Sequence, residues 1–365
     1  MKLILQDGST WHGDSFGYET KDPQWFVDGE VVFNTSMVGY PETLTDPSYR
    51  GQILVLTFPM IGNYGVPVQT VKDHVSELLE SEQIHLRGLI VNEYSSEHSH
   101  HQAKSSLSDF LKKHKVPALQ NVDTRALTQV LREQGVMLGK IIPDARKITG
   151  ALNIIDPNQT NLVAEVSTHK KQIIKPAGKS KATVVLYDCG TKHNIIRSFL
   201  ARGITVIRLP WDFDIDQVTE AYQGVFVSNG PGDPQMADRT IEAIRQAMKK
   251  NVPIFGICLG SQLMGLAAGA KTYKLKYGHR SANQPCTETL SERCYITSQN
   301  HGYAIDEKTI PSSWKVWFRN ANDNTVEGIK HVNKPWFSVQ FHPEAHPGPE
   351  DPDYLFDEFV DKLIK

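Results

Sequence analysis

The chain is 365 residues long, enough for two ordinary domains with separate cores. Hydrophobic residues at 39% and charged residues at 22% are the balance of a soluble globular protein, and a formal net charge of -2 gives no electrostatic case for nucleic acid or an anionic membrane as partner. Four cysteines without CxxC spacing, Cys189, Cys258, Cys286 and Cys294, argue against a zinc or disulfide framework and for free thiols in a reducing compartment.

The first residues, MKLILQDGSTWHG, hold too few apolar positions for a signal or spanning segment, which sets the expectation of a cytoplasmic protein. Residues 1–150 read as one strand-rich α/β domain. Leu3-Ile4-Leu5 and Ser9–Gly13 flank Asp7-Gly8, a hairpin signal, and further strands are expected at Glu30–Phe33, Gln52–Thr57 and Leu86–Val91. A helix is signalled by Asp123 as N-cap, by Leu127, Val130 and Leu131 on one face, and by Gly135 just past its end. Asn34–Glu42 through Asp46–Tyr49, and Pro59–Gly65, read as loops. His98, His100 and His101 lack a carboxylate or cysteine at ligand spacing and read as a solvated loop, so no metal is expected.

Residues 151–181 are taken as a connecting segment, ending in the basic linker THKKQIIKPAGKSK. From Ala182 to the end the pattern alternates. Strands at Thr183–Tyr187, Ile204–Leu209, Gly224–Val227 and Val252–Ile257, with helices at Asn194–Ala201 and from Ser261 onward, predict a mostly parallel sheet flanked by helices, with functional loops at the strand ends.

Three of those ends carry unusual residues. Gly256-Ile257-Cys258-Leu259-Gly260 is a nucleophile elbow with cysteine in the serine place. At a helix N-terminus the thiolate of Cys258 is favoured, and the N–H of Leu259 points where an oxyanion would form. Pro335–Phe341 reads as a strand running into His342-Pro343-Glu344, a base followed by a carboxylate able to orient it. Ser228–Pro234 is a glycine-rich turn whose backbone can approach a ligand. A fourth segment, Thr297–Tyr303, follows the strand-like Cys294–Ile296. Its His301 competes as base but has no carboxylate companion comparable to Glu344 in the sequence.

The segments SNGPGDP, GICLGSQ, SQNHGY and FHPEAHPGPED, in this order, resemble the class I glutamine amidotransferases. GEVVFNTSMVGYPETLTDPSYRGQ, FPMIGNYG and NVDTRALTQVLREQG resemble the N-terminal domain of carbamoyl-phosphate synthase small subunits, so the likeness runs nearly end to end. It implies that Cys258 attacks the side-chain amide of L-glutamine, that His342 is base and then acid, and that Glu344 orients His342. It also implies glutamine contacts at Ser48, Gly230, Gly232, Leu259, Gln262, Asn300, Gly302 and Tyr303, with Gly232 and Leu259 giving N–H groups to the oxyanion hole. Ser48 comes from the first half, which puts the site at a domain interface.

The resemblance further implies that ammonia passes through an interior passage to a large synthetase subunit. That subunit uses bicarbonate and two ATP to make carbamoyl phosphate for pyrimidine or arginine synthesis. This chain then needs no cofactor of its own. ATP and Mg belong to the large subunit, and the assembly is a heterodimer or a tetramer of heterodimers. Ser261 stands where the family usually has histidine and is expected to face away from the nucleophile; His346 stands where it usually has serine. Other readings are a regulatory subunit with a dead glutaminase site, another amidotransferase such as the glutaminase of guanylate or anthranilate synthesis, and a cysteine peptidase.

Overall fold

The computed structural model describes residues 1–146 and 153–364, so the domain boundary drawn at residue 150 lies outside the described residues. The first half is built on an eight-stranded mixed sheet. Its order is Thr10–His12, Lys2–Leu5, Met137–Ile142, Val27–Asn34, Gln52–Leu56, Gly88–Ile90, Ala118–Gln120 and Asp14–Ser15. The opening hairpin forms in the register Leu3 to Trp11, which leaves Asp7-Gly8 at the turn. The helix Thr124–Gln134 begins where Asp123 accepts a hydrogen bond from the N–H of Ala126, and it ends at Gly135. Such a cap stabilises a helix by about 1 kcal/mol. Leu127 and Leu131 carry its buried face against Leu3, Val31 and Ile53 of the sheet.

Two stretches differ from the sequence reading. Residues 40–49 are helical: Tyr40–Thr45 is a short α-helix with Pro41 in its first turn, and Pro47–Tyr49 is a 3-10 turn capped by Asp46. Proline, serine and aspartate suit a loop, but they also suit a first helical turn, and here burial decides. The expected linker is partly a strand, since Gln172–Ile174 pairs antiparallel with Ile204–Pro210 and buries Ile174.

The second half holds a ten-stranded sheet. Five strands at its centre, Ile204–Pro210, Ala182–Asp188, Gly224–Val227, Ile254–Ile257 and Trp336–Val339, are parallel. They read as unbroken apolar runs because helices cover both faces. His193–Ala201 and Tyr354–Ile364 cover one, packing Phe199, Phe356 and Phe359 onto Phe226, Phe255 and Phe337; Asp238–Lys250 and Leu259–Ala268 cover the other. Each fully buried side chain of this size contributes about 1.5–3 kcal/mol. Antiparallel strands extend the sheet, ending in the long pair Lys271–Glu288 and Cys294–Asp306. Cys294–Ile296 therefore does not end before Thr297–Tyr303; one strand runs through both.

That long pair reaches back to the first half, where Val136 N–H donates to Lys276 C=O at 2.9 Å and Thr35 N–H to Arg280 C=O at 3.2 Å. Elsewhere along the seam, Ser76 N–H donates to His193 Nδ1 at 2.7 Å. No helix among the described residues is long and apolar enough to cross a membrane.

Candidate active site

Cys258 sits at the junction of the strand Ile254–Ile257 and the helix Leu259–Ala268, with φ 55° and ψ −107°. A residue with a Cβ is strained there. The flanking glycines are required by space: a Cβ on Gly260 would lie 2.1 Å from the Val227 carbonyl oxygen, and one on Gly256 would lie 2.6 Å from that of Gly260. The turn is held by Cys258 N–H donating to Val339 C=O at 2.9 Å, and Sγ lies 3.5 Å from the Asn300 carbonyl oxygen. Leu259 opens the helix, where backbone N–H groups have no intrahelical acceptor, while its side chain is in the core.

The strand Trp336–Val339 delivers His342, whose N–H donates to Ser298 C=O at 2.8 Å. Its Nδ1 lies 2.6 Å from Glu344 Oε1, a contact that requires the proton on Nδ1 and leaves Nε2 to face elsewhere. Nε2 has no hydrogen bond of ordinary geometry among the described residues. Burial alone would lower the pKa of His342, but Glu344 and the Cys258 sulfur together push it up to about 10. For Glu344, burial raises the pKa and is outweighed by Lys192 and His342, which hold the carboxyl below its usual range.

Lys192 is the residue the sequence reading missed. It is buried, its Nζ lies 3.2 Å from Glu344 Oε1, and it also donates to the carbonyl of Ala345. Its only local signal is a lysine just past the end of a parallel strand, a place where functional side chains collect. Asp46 was missed as well: it accepts from Asn300 Nδ2 at 3.0 Å and from the N–H of Ser48 at 2.8 Å, while Ser48 Oγ accepts from Asn229 Nδ2 at 2.9 Å. These bonds tie the first half to both sides of the elbow.

A narrow polar cavity opens over Cys258. Ser48, Gly230, Gly232, Gln262, Asn300, Gly302 and Tyr303 line it. Gln262 is fixed by Nε2 donating to the Tyr303 carbonyl at 3.0 Å. Leu259 and Glu344 do not line this cavity, and His342 lines a neighbouring one that shares Asn300 with it. Ser261 Oγ pairs with Ser338 Oγ at 2.9 Å, behind the elbow. His346 Nδ1 lies 2.8 Å from Glu80 Oε1, on the wall of the second cavity.

The expectation that His301 lacks a carboxylate is corrected: Glu327, contributed by a strand distant in sequence, lies 3.8 Å from its Nε2. His301 is nevertheless occupied, with Nδ1 2.8 Å from the Tyr303 carbonyl and Nε2 2.8 Å from Gln299 Oε1, and burial pushes its pKa well down. His279, His301 and Glu327 are close enough to share a cation. Here His279 instead bridges Asp323 at 2.9 Å and Glu327 at 3.3 Å. His98, His100 and His101 are exposed.

A buried thiol on a strained strand-to-helix turn, in a parallel sheet, coupled to a His–Glu pair beside a polar cavity is the arrangement of a triad amidotransferase. Accordingly, residues 185–362 match the glutamine amidotransferase class-I family. Residues 3–141 match the CPSase domain of the carbamoyl-phosphate synthase small chain. The arginine-specific carbamoyl phosphate synthase small chain of Saccharomyces cerevisiae is 47% identical over 100% of this chain and 88% of its own length. That of Aspergillus niger is 46% identical over 100% of this chain and 80% of its own. The chain belongs to the carbamoyl phosphate synthase small-chain family. It is also 48% identical to the multifunctional protein pyr-3 of Neurospora crassa, over 100% of this chain and 21% of that protein, so it spans about a fifth of that relative's length.

Proposed function

We propose that this chain is the glutaminase part of a carbamoyl-phosphate synthase, with residues 1–150 as its small-subunit domain, 151–181 as connection and 182–365 as the amidotransferase domain. The reading rests above all on the thiol of Cys258, set in a strained turn at the floor of a polar cavity and coupled to the His342–Glu344 pair. In the reaction, the Cys258 thiolate attacks the carboxamide carbon of L-glutamine. The N–H groups of Gly232 and Leu259 take the charge that forms on oxygen. Collapse of the adduct breaks the C–N bond, the leaving nitrogen takes a proton from His342, and ammonia departs from a thioester. His342 then draws a proton from water, which attacks the thioester and releases glutamate and the thiol.

Glu344 holds the imidazole ring and stabilises its charged form; Lys192 holds Glu344. Ser48, Gly230, Gln262, Asn300, Gly302 and Tyr303 position glutamine. Ammonia goes to a large subunit, as heterodimer or tetramer of heterodimers, where ATP and Mg are bound and carbamoyl phosphate is made from bicarbonate in the cytoplasm. The product feeds pyrimidine synthesis, arginine synthesis or both. Cys258→Ser in the complex tests this: glutamine-dependent synthesis should vanish while ammonia-dependent synthesis persists, and loss of both overturns the reading.

A further inference from the structure

Arg280 lies on the strand Lys271–Glu288, opposite Asn300. The residue is only 5% exposed, yet it lines the cavity over Cys258. A buried guanidinium carries five donors and a permanent charge, a strongly unfavourable state unless an anion answers it. None does in the free protein. Among the described residues Arg280 makes no ion pair, its Nη1 donates to the Tyr277 carbonyl at 2.9 Å, and its Nε has no partner. Glu30 is the nearest candidate by charge, but it is already engaged by Lys274 at 2.5 Å, Gln52 at 2.9 Å and Asn158 at 3.2 Å.

The guanidinium lies close to two glycines. A Cβ on Gly278 would meet Nη1 at 2.5 Å, and one on Gly302 would meet Nη2 at 3.3 Å. Gly302 lines the same cavity, as do Tyr277 and Gly278, so the guanidinium forms part of the cavity wall together with the residues it touches. A planar fork with unused donors, buried beside an otherwise polar cavity, is complementary to a carboxylate.

We infer that Arg280 is the receptor for the α-carboxylate of the substrate, the group that separates an amino-acid amide from a simple amide. This rests on the glutaminase reading of the same site. Cys258 works on the amide at one end of the molecule while Arg280 selects for the charge at the other. Arg280 is thus a specificity-determining residue, and its loss weakens recognition more than chemistry.

The test is hydrolysis by the full chain of L-glutamine and of 4-aminobutanamide, which is glutamine without its carboxylate, in the wild type and in Arg280→Gln. The wild type should favour glutamine in kcat/KM by roughly 100-fold, the size of a lost charge-assisted pair. Arg280→Gln should lose most of that preference through a higher KM for glutamine, with a much smaller loss of kcat/KM on 4-aminobutanamide than on glutamine. Arg280→Lys, which keeps the charge and removes the fork, should fall between them, and it carries the comparison if the glutamine variant does not fold. Undiminished preference in the variants, or an equal loss on both substrates, overturns the assignment while leaving the glutaminase reading intact. A wild type inactive on both overturns that reading, and this inference with it.

Discussion

Replacing Lys192 by methionine keeps most of the side chain's length and removes its charge from a dry region. In the native protein the ammonium lies 3.2 Å from Glu344 Oε1, and the Glu344 side chain has no solvent exposure. Removing one partner of a buried ion pair costs about 3–5 kcal/mol, because the survivor stays charged and unanswered. His342 still touches Glu344 at 2.6 Å, which places the expected loss near the lower end, about 3 kcal/mol. For 365 residues melting as one unit, at roughly 1.3 °C per kcal/mol, Tm should fall by about 4 °C. The assay is thermal denaturation followed by circular dichroism across a pH series. Glu344 is held below its ordinary pKa of 4.5, so its contribution is complete above that pH and is lost as the pH falls through the folded value. In Lys192→Met the folded value rises, and the acid loss begins at a higher pH. Adding Glu344→Gln removes the stranded charge and should restore much of the stability. A single variant melting within about 2 °C of wild type, or a double variant no better than the single, refutes the buried-pair argument.

His342 should titrate at a lower pH in Cys258→Ser, because the sulfur's share of its raised pKa is gone; ring NMR shifts followed against pH check this, and an unchanged titration speaks against the coupling. Since its folded pKa is raised to about 10 from 6.5, protonated His342 contributes stability that is complete below 6.5 and lost as the pH climbs through 10. Cys258→Gly should be more stable to urea than Cys258→Ala by about 1–3 kcal/mol, the strain of a Cβ at that φ and ψ; equal midpoints mean the turn is unstrained. Gly260→Ala, with its new Cβ 2.1 Å from a carbonyl oxygen, should cost about 3 kcal/mol, read as a lower urea midpoint at unchanged slope.

Local signals are the legible ones. The Asp7-Gly8 hairpin, the helix between Asp123 and Gly135 and the glycine-flanked elbow are each short and contiguous in the chain, and each forms where its residues predict. The parallel strands follow from their apolar runs. Residues 40–49 are illegible because the same Pro, Ser and Asp serve a loop or a capped turn, and only contact with Asn229 and Asn300 of the other half selects the turn. Lys192 and Glu344 are 152 positions apart in the chain, and no spacing rule announces such a pair. His301 and Glu327 fail for the same reason: they lie on strands that do not pair with each other, so no local pattern brings them together.

Glu80 belongs to the first half, yet Arg197 at 2.7 Å, His346 at 2.8 Å and the N–H of Asn194 at 3.1 Å all reach it from the second. In the other direction, Asn229 and Asn300 depend on Ser48 and Asp46. Separated, each half would be left with amides and charges facing an interior that no longer answers them. Neither half is therefore a free-standing module. Heat that opens one strips the other of its polar partners, and a calorimeter should record one cooperative melting event where two sheets would otherwise give two.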